Sequence, residues 1–285
     1  MVCYQIAVWM VGLWFPVAAC AGWVLEQIEY ANPGAERTRT VQYISKNRLK
    51  TVGAGNTFIM DLHQNGFTAS DQENRVYWSG TVHEYIQEVQ TFQQTASDLA
   101  RQQMEEALKD LPPDQRRAME EVIKQREGPG VPPPAQQPAK RPQVTVERTQ
   151  ETTLIAGYKA TKAMVYADGK PYQEVWLANG IDLKGDLDLK RMRGLQAKLS
   201  KAIMPESPGG QAVEEDPAYE KMLDEGYPVK IVELGERGEP ESVTEVVRVE
   251  QRDIPDKEFQ PPEGYRRIDL RAFFREELEK MKRGE

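Results

Sequence analysis

The stretch Thr152 to Ala178 constrains the fold of this chain more than any other. Two runs rich in β-branched and aromatic residues flank Asp168-Gly169-Lys170-Pro171. Asp-Gly is the strongest short hairpin signal, because both central residues of a type I′ turn need positive φ. Short runs of the same kind precede it: Trp23 to Tyr30, Arg39 to Val52 split at Lys46-Asn47, Asn56 to His63, Phe67 to Ser70 after Asn65-Gly66, and Arg75 to Ser79. Turn signals about every ten residues describe a meander or barrel.

At Gly80 the period changes. Val82, Tyr85, Ile86, Val89, Phe92, Ala96 and Leu99 follow helical spacing, continued by Met104, Leu108 and Leu111. Pro112-Pro113 breaks the helix, since a proline ring nitrogen cannot donate a hydrogen bond. A second helix is expected from Asp114 to Lys124, so residues 80–127 read as an inserted αα-hairpin, and the proline-dominated residues 128–142 as an extended linker. Gln143 to Ala156 re-enters the sheet. Asp188 to Met204 is an amphipathic helix with Lys190, Arg191, Arg193, Lys198 and Lys201 opposite its apolar side. Asp216-Pro217 is the N-cap and N1 pair of a short helix stopped by Gly226. Tyr227 to Leu234 and Val243 to Arg252 form a last hairpin, with Val243, Val247 and Val249 expected on one side. A charged helix from Ile268 to Lys282 closes the chain. The expected fold class is α+β: a curled antiparallel sheet over 22–270 capped by helices, with residues 271–285 as the C-terminal helix.

Residues 1–21 hold no Lys, Arg, Asp or Glu and are almost wholly apolar from Ile6 to Ala19. Such a run ending in Ala19-x-Ala21 reads as a signal peptide cut before Gly22, although its start, MVCYQ, carries no basic residue. It falls short of the roughly 20 apolar residues of a membrane span. Val17-Ala18-Ala19-Cys20 also meets a lipobox pattern, in which Cys20 would carry lipid and anchor the protein to the outer membrane; the Ala-x-Ala spacing favours simple cleavage. The expected location is therefore the periplasm. Cys3 and Cys20 are the only cysteines, so the mature chain would have none and must be held by its core. A net charge of −8 disfavours non-specific nucleic-acid binding.

The residues offer little for catalysis. His63 and His83 are the only histidines, and neither belongs to a recognisable triad. Asp182, Asp186 and Asp188 have metal-ligand spacing, but Leu187 and Arg193 stand where a calcium loop needs Gly and Glu. They read as turn and N-cap residues. No enzyme activity, metal or cofactor is expected.

Three stretches carry a family resemblance: Ile155 to Ala178; Thr57 to Tyr85; and Glu225 to Ile231 with Ile254 to Ile268. Together they resemble exported bacterial domains of unknown function that are similar in fold to the LolA/LolB lipoprotein carriers. The resemblance implies a half-open antiparallel barrel around an apolar concavity. Trp23, Tyr43, Phe58, Met60, Trp78, Tyr166 and Trp176 are the candidates to line it, against the plainer reading that they fill a core. The expected partner is a hydrophobic ligand or lipoprotein, with contact to a membrane surface through the basic helix as a further option. The alternative is a structural or regulatory module that binds an envelope protein through the helical insertion.

Overall fold

Six short strands build the first half of the sheet: β1 (Gly22–Tyr30), β2 (Thr38–Ser45), β3 (Arg48–Gly53), β4 (Asn56–Asp61), β5 (Gly66–Asp71) and β6 (Val76–Thr81). The computed structural model describes residues 22–31, 34–109, 141–203, 212–235 and 237–283. The leader, Cys20, the second helix of the expected hairpin and all but the last residues of the proline-rich linker lie outside them.

The turns explain the meander. Lys46-Asn47, Ala54-Gly55, Ala156-Gly157 and Asp168-Gly169 each place two consecutive residues at φ between 49° and 85°. That conformation matches the twist of the strands they join. The β4–β5 and β5–β6 loops work differently. Asp61 Oδ1 accepts from the backbone N–H groups of His63 (2.8 Å) and Gln64 (3.2 Å), and Asp71 Oδ1 from those of Glu73 (2.8 Å) and Asn74 (3.1 Å). Asn65 alone takes positive φ in the first loop, and Gly66 already belongs to β5. The expected Asn-Gly turn is thus a carboxylate-anchored loop.

Helix α1 (Val82–Lys109) begins where the period changes. Thr81 and Glu84 form a capping box: Glu84 N–H donates to Thr81 Oγ1 (3.1 Å), while Glu84 Oε2 accepts from Thr81 N–H (2.7 Å). The second meander follows, with β7 (Val144–Ile155), β8 (Tyr158–Ala167) and β9 (Lys170–Ala178). An excursion then carries α2 (Leu189–Ile203) and α3 (Pro217–Leu223) before β10 (Tyr227–Leu234) and β11 (Pro240–Arg252). A 3-10 turn at Asp256–Phe259, the two-residue β12 (Arg266–Arg267) and α4 (Leu270–Arg283) complete the described chain.

All twelve strands share one curled, unclosed sheet in the order β12-β6-β5-β4-β3-β2-β1-β11-β10-β9-β8-β7. Every pairing is antiparallel except β12 on β6. The two meanders meet at β1 and β11. There Glu26 pairs with Arg248 and Gln27 with Val246, so Val247 is an extra residue, a β-bulge. The bulge corrects one expectation: Val246 is buried and Val249 packs on the same cluster, while Val247 is 43% exposed.

Three clusters form the core. The largest joins Trp23, Leu25, Ile44, Met60 and Phe67 to Met192 and Leu199 of α2. A second sits under α3, where Tyr219 and Met222 meet Ala163, Val165, Val175 and Leu177. A third lies beneath the 3-10 turn, where Ile254 and Phe259 cover Val24 and Ile59. Strand β9 feeds two of them by alternate residues, Val175 and Leu177 to the second, Trp176 and Ala178 to the first.

Candidate functional site

Helix α2 decides where open space remains. Asp188 caps it, accepting from Arg191 N–H (3.0 Å), and its own N–H is held by Asn47 Oδ1 (2.7 Å). Asp182 Oδ1 accepts from Lys184 N–H (3.0 Å). Asp186 is hydrogen-bonded by the Trp23 side chain, and burial nevertheless raises its pKa. All three aspartates therefore organise the approach to the helix. Among the described residues no three His, Cys, Asp or Glu side chains are grouped to hold a metal ion.

Met192 and Leu199 anchor α2 on the sheet, and two neighbouring grooves open beside it. The first, about 370 Å³, lies between Ile44 and Leu49 of the sheet and Ile181, Leu183, Leu187 and Met192. The second, about 610 Å³, has Tyr219, Leu223, Pro228 and Ile231 among its apolar residues. Arg193, Gln196, Leu223 and Pro228 line both. These volumes fall in the range of small-molecule sites, roughly 300–1,000 Å³.

The second groove carries opposite charges. Lys190, Arg193, Lys198 and Lys201 come from α2, and Glu214, Glu215 and Glu220 from the α3 segment. Arg193 reaches Asp224 at 3.5 Å. The other six make no ion pair with another described residue. Loss of solvent around Glu214, and then the charge of Glu215, raise its pKa.

Behind α3 a polar chain ties it to the sheet. The Tyr219 hydroxyl donates to Gln173 Oε1 (2.9 Å), and Gln173 Nε2 donates to Glu233 Oε1 (2.8 Å). Gln173 is 1% exposed. Burial raises the Glu233 pKa, opposed by the Gln173 hydrogen bond and reinforced by Glu214 and Glu241. Burial, with Glu233 and Glu214 nearby, pushes Tyr172 up to about 12, and burial also raises Tyr219. In the first groove, Tyr227 is pushed up to about 12 by burial and shares long hydrogen bonds with Gln27 (3.5 Å) and Gln42 (3.4 Å).

None of the seven aromatic and methionine candidates lines either groove. Trp23 and Met60 are buried in the main cluster, with Trp78 and Trp176 packed against it. Phe58 is 42% exposed and stacks on Phe67, with ring centroids 6.1 Å apart. Tyr43 pairs with Val24 and packs in the cluster under the 3-10 turn. Tyr166 belongs to no cluster and hydrogen-bonds Glu147 (3.3 Å). Trp78 borders a separate open recess with Gly80, Glu84 and Arg267. His63 and His83 are exposed. The residues that do border the grooves were partly marked by the amphipathic pattern of α2 and by Asp216-Pro217. The apolar residues Pro228 and Ile231 fall in the Glu225 to Ile231 stretch of the resemblance, but nothing in the sequence sets them beside a groove.

Residues 134–265 match the family described as Domain of unknown function (DUF4412). The matched segment contains α2, α3 and the strands β7 to β11, hence most of both grooves. It agrees with the coarser part of the resemblance read from the sequence. No curated protein matches the chain. Among solved structures, an uncharacterised conserved protein from Thermus thermophilus is 7% identical at a TM-score of 0.40, covering 87% of this chain and 90% of that one. PNGF-II is 12% identical at a TM-score of 0.35, covering 91% of this chain and 33% of that one. MucB of the Pseudomonas aeruginosa MucA/MucB complex is 11% identical at 0.33, with 86% and 56% covered. So slight an overlap of backbones carries no argument about ligand or partner.

Proposed function

We propose that this is a non-enzymatic protein of the bacterial envelope whose sheet is a LolA-like half-barrel, and that it binds a lipid, a lipoprotein acyl chain or a hydrophobic peptide. The binding place is the pair of grooves beside α2. The observation that carries this reading is their adjacency: apolar residues of the sheet, α2 and α3 leave two partly enclosed grooves that share Leu223 and Pro228. Burying an acyl chain there would contribute about 0.8 kcal/mol per CH₂ without polar recognition. Export through removal of residues 1–21 fits the same reading.

Native mass spectrometry of the purified protein tests it, with lipid extraction alongside. A co-purifying amphiphile that is lost in Leu223→Glu, while circular dichroism keeps the β signature, is the expected result. A wild-type protein that neither retains nor takes up any amphiphile rules the reading out.

A second reading has its own observation. The first turns of α1 pack on the sheet, through Val82, Tyr85 and Ile86, and the described side chains from Ala100 to Lys109 are almost all exposed. Helix α4 runs beside it, with Phe274 stacked on Phe92 at 4.6 Å, and a groove of about 860 Å³ between them. Binding an envelope protein through this projection predicts that deleting residues 100–124, beyond the turns packed on the sheet, abolishes the complex and leaves the sheet folded.

A further inference from the structure

The 610 Å³ groove presents two oppositely charged sides above an apolar floor, and its charges do not neutralise each other. Lys190, Lys198 and Lys201 on α2 and Glu214, Glu215 and Glu220 around α3 form no ion pair within 4 Å with another described residue. An acyl chain alone would use only the floor. A purely anionic amphiphile would satisfy the lysines and add like charge next to the carboxylates. A purely cationic one would do the reverse.

Resting on the amphiphile reading above, we propose that the groove takes a zwitterionic phospholipid with a phosphoethanolamine head group. The phosphate faces the lysines of α2, the ammonium faces Glu214, Glu215 and Glu220, and the chain runs over Tyr219, Leu223 and Ile231 toward the 370 Å³ groove. The ammonium brings three N–H donors to carboxylates that have none from a cation among the described residues. It also offsets the partial burial of Glu214 and, after that, its crowding by Glu215, the two causes that raise the Glu214 pKa. Arg193 stays with Asp224 and marks where the two grooves join.

The test compares two single-chain lipids with the same palmitoyl tail, lysophosphatidylethanolamine and lysophosphatidylglycerol, on the full chain below their micelle concentrations. Wild-type protein should bind the ethanolamine lipid roughly three- to fivefold tighter, the size expected of partly exposed charge contacts. Glu214→Gln with Glu215→Gln should erase that preference by weakening the ethanolamine lipid alone. Lys198→Gln with Lys201→Gln should weaken both lipids. Equal or tighter binding of the glycerol lipid to wild type overturns the head-group assignment and leaves the amphiphile reading standing. Binding of neither lipid also overturns the head-group assignment, and the mass-spectrometric search for any retained amphiphile then decides the wider reading. The wild-type comparison needs no variant, so it decides the matter even where a substituted protein misfolds.

Discussion

Replacing Gln173 with leucine probes the way α3 is fastened. The substitution keeps the volume roughly constant and removes two hydrogen bonds, from the Tyr219 hydroxyl (2.9 Å) and to Glu233 (2.8 Å). The Tyr219 hydroxyl is left buried without its acceptor, which costs about 1–3 kcal/mol. Glu233 loses the hydrogen bond that holds its pKa down, so that pKa climbs further above its unfolded value. A carboxyl with a raised folded pKa binds its proton more tightly when folded. Its penalty is absent below the unfolded pKa and grows as pH rises toward the folded one. The loss of stability in Gln173→Leu should therefore be larger at about pH 7 than at about pH 4. Urea denaturation at the two pH values measures it, and Tyr219→Phe closes a double-mutant cycle. In the leucine background Tyr219→Phe should be neutral or restorative. Equal losses at both pH values, or additive losses in the cycle, would refute the reasoning.

Two further predictions concern the frame. Gly22→Ala places a Cβ 2.6 Å from the Ile44 carbonyl oxygen and 2.9 Å from Ser45 Cβ, so the central strand must shift; a loss of about 1–3 kcal/mol is expected from chemical denaturation. Thr81→Ala opens the capping box of α1 and should cost about 1 kcal/mol, with the loss visible as amide exchange in the first turn.

The turns were legible in the sequence because they are local. Asp168-Gly169 and Asn47 specify their own backbone, and all three take the left-handed conformation that their residue types favour, with Lys46 carried along beside Asn47. The capping of α3 by Asp216, which accepts from Ala218 N–H at 2.8 Å, is readable for the same reason. Side-chain facing was not, because it depends on partners far along the chain. Val247 looks like a core residue until β1 is laid beside it and the register slips. Tyr43 looks equivalent to Trp23, yet Trp23 pairs with Ile44 and Tyr43 with Val24, which places the two in different clusters. The grooves were hidden for a related reason: they lie between an excursion and the strand that follows it, and their charge pattern emerges only when α2 and α3 are side by side.

The meeting of β1 with β11 sets a schedule for the chain. The first of the described strands occupies the middle of their sheet, and its second neighbour arrives more than two hundred residues later. At synthesis rates of about 5–20 residues per second, β1 waits roughly 10–40 s with one row of backbone groups unpaired. Truncation anywhere before Pro240 would leave that row open permanently, an invitation to intermolecular pairing at the heart of the molecule and not at its margin.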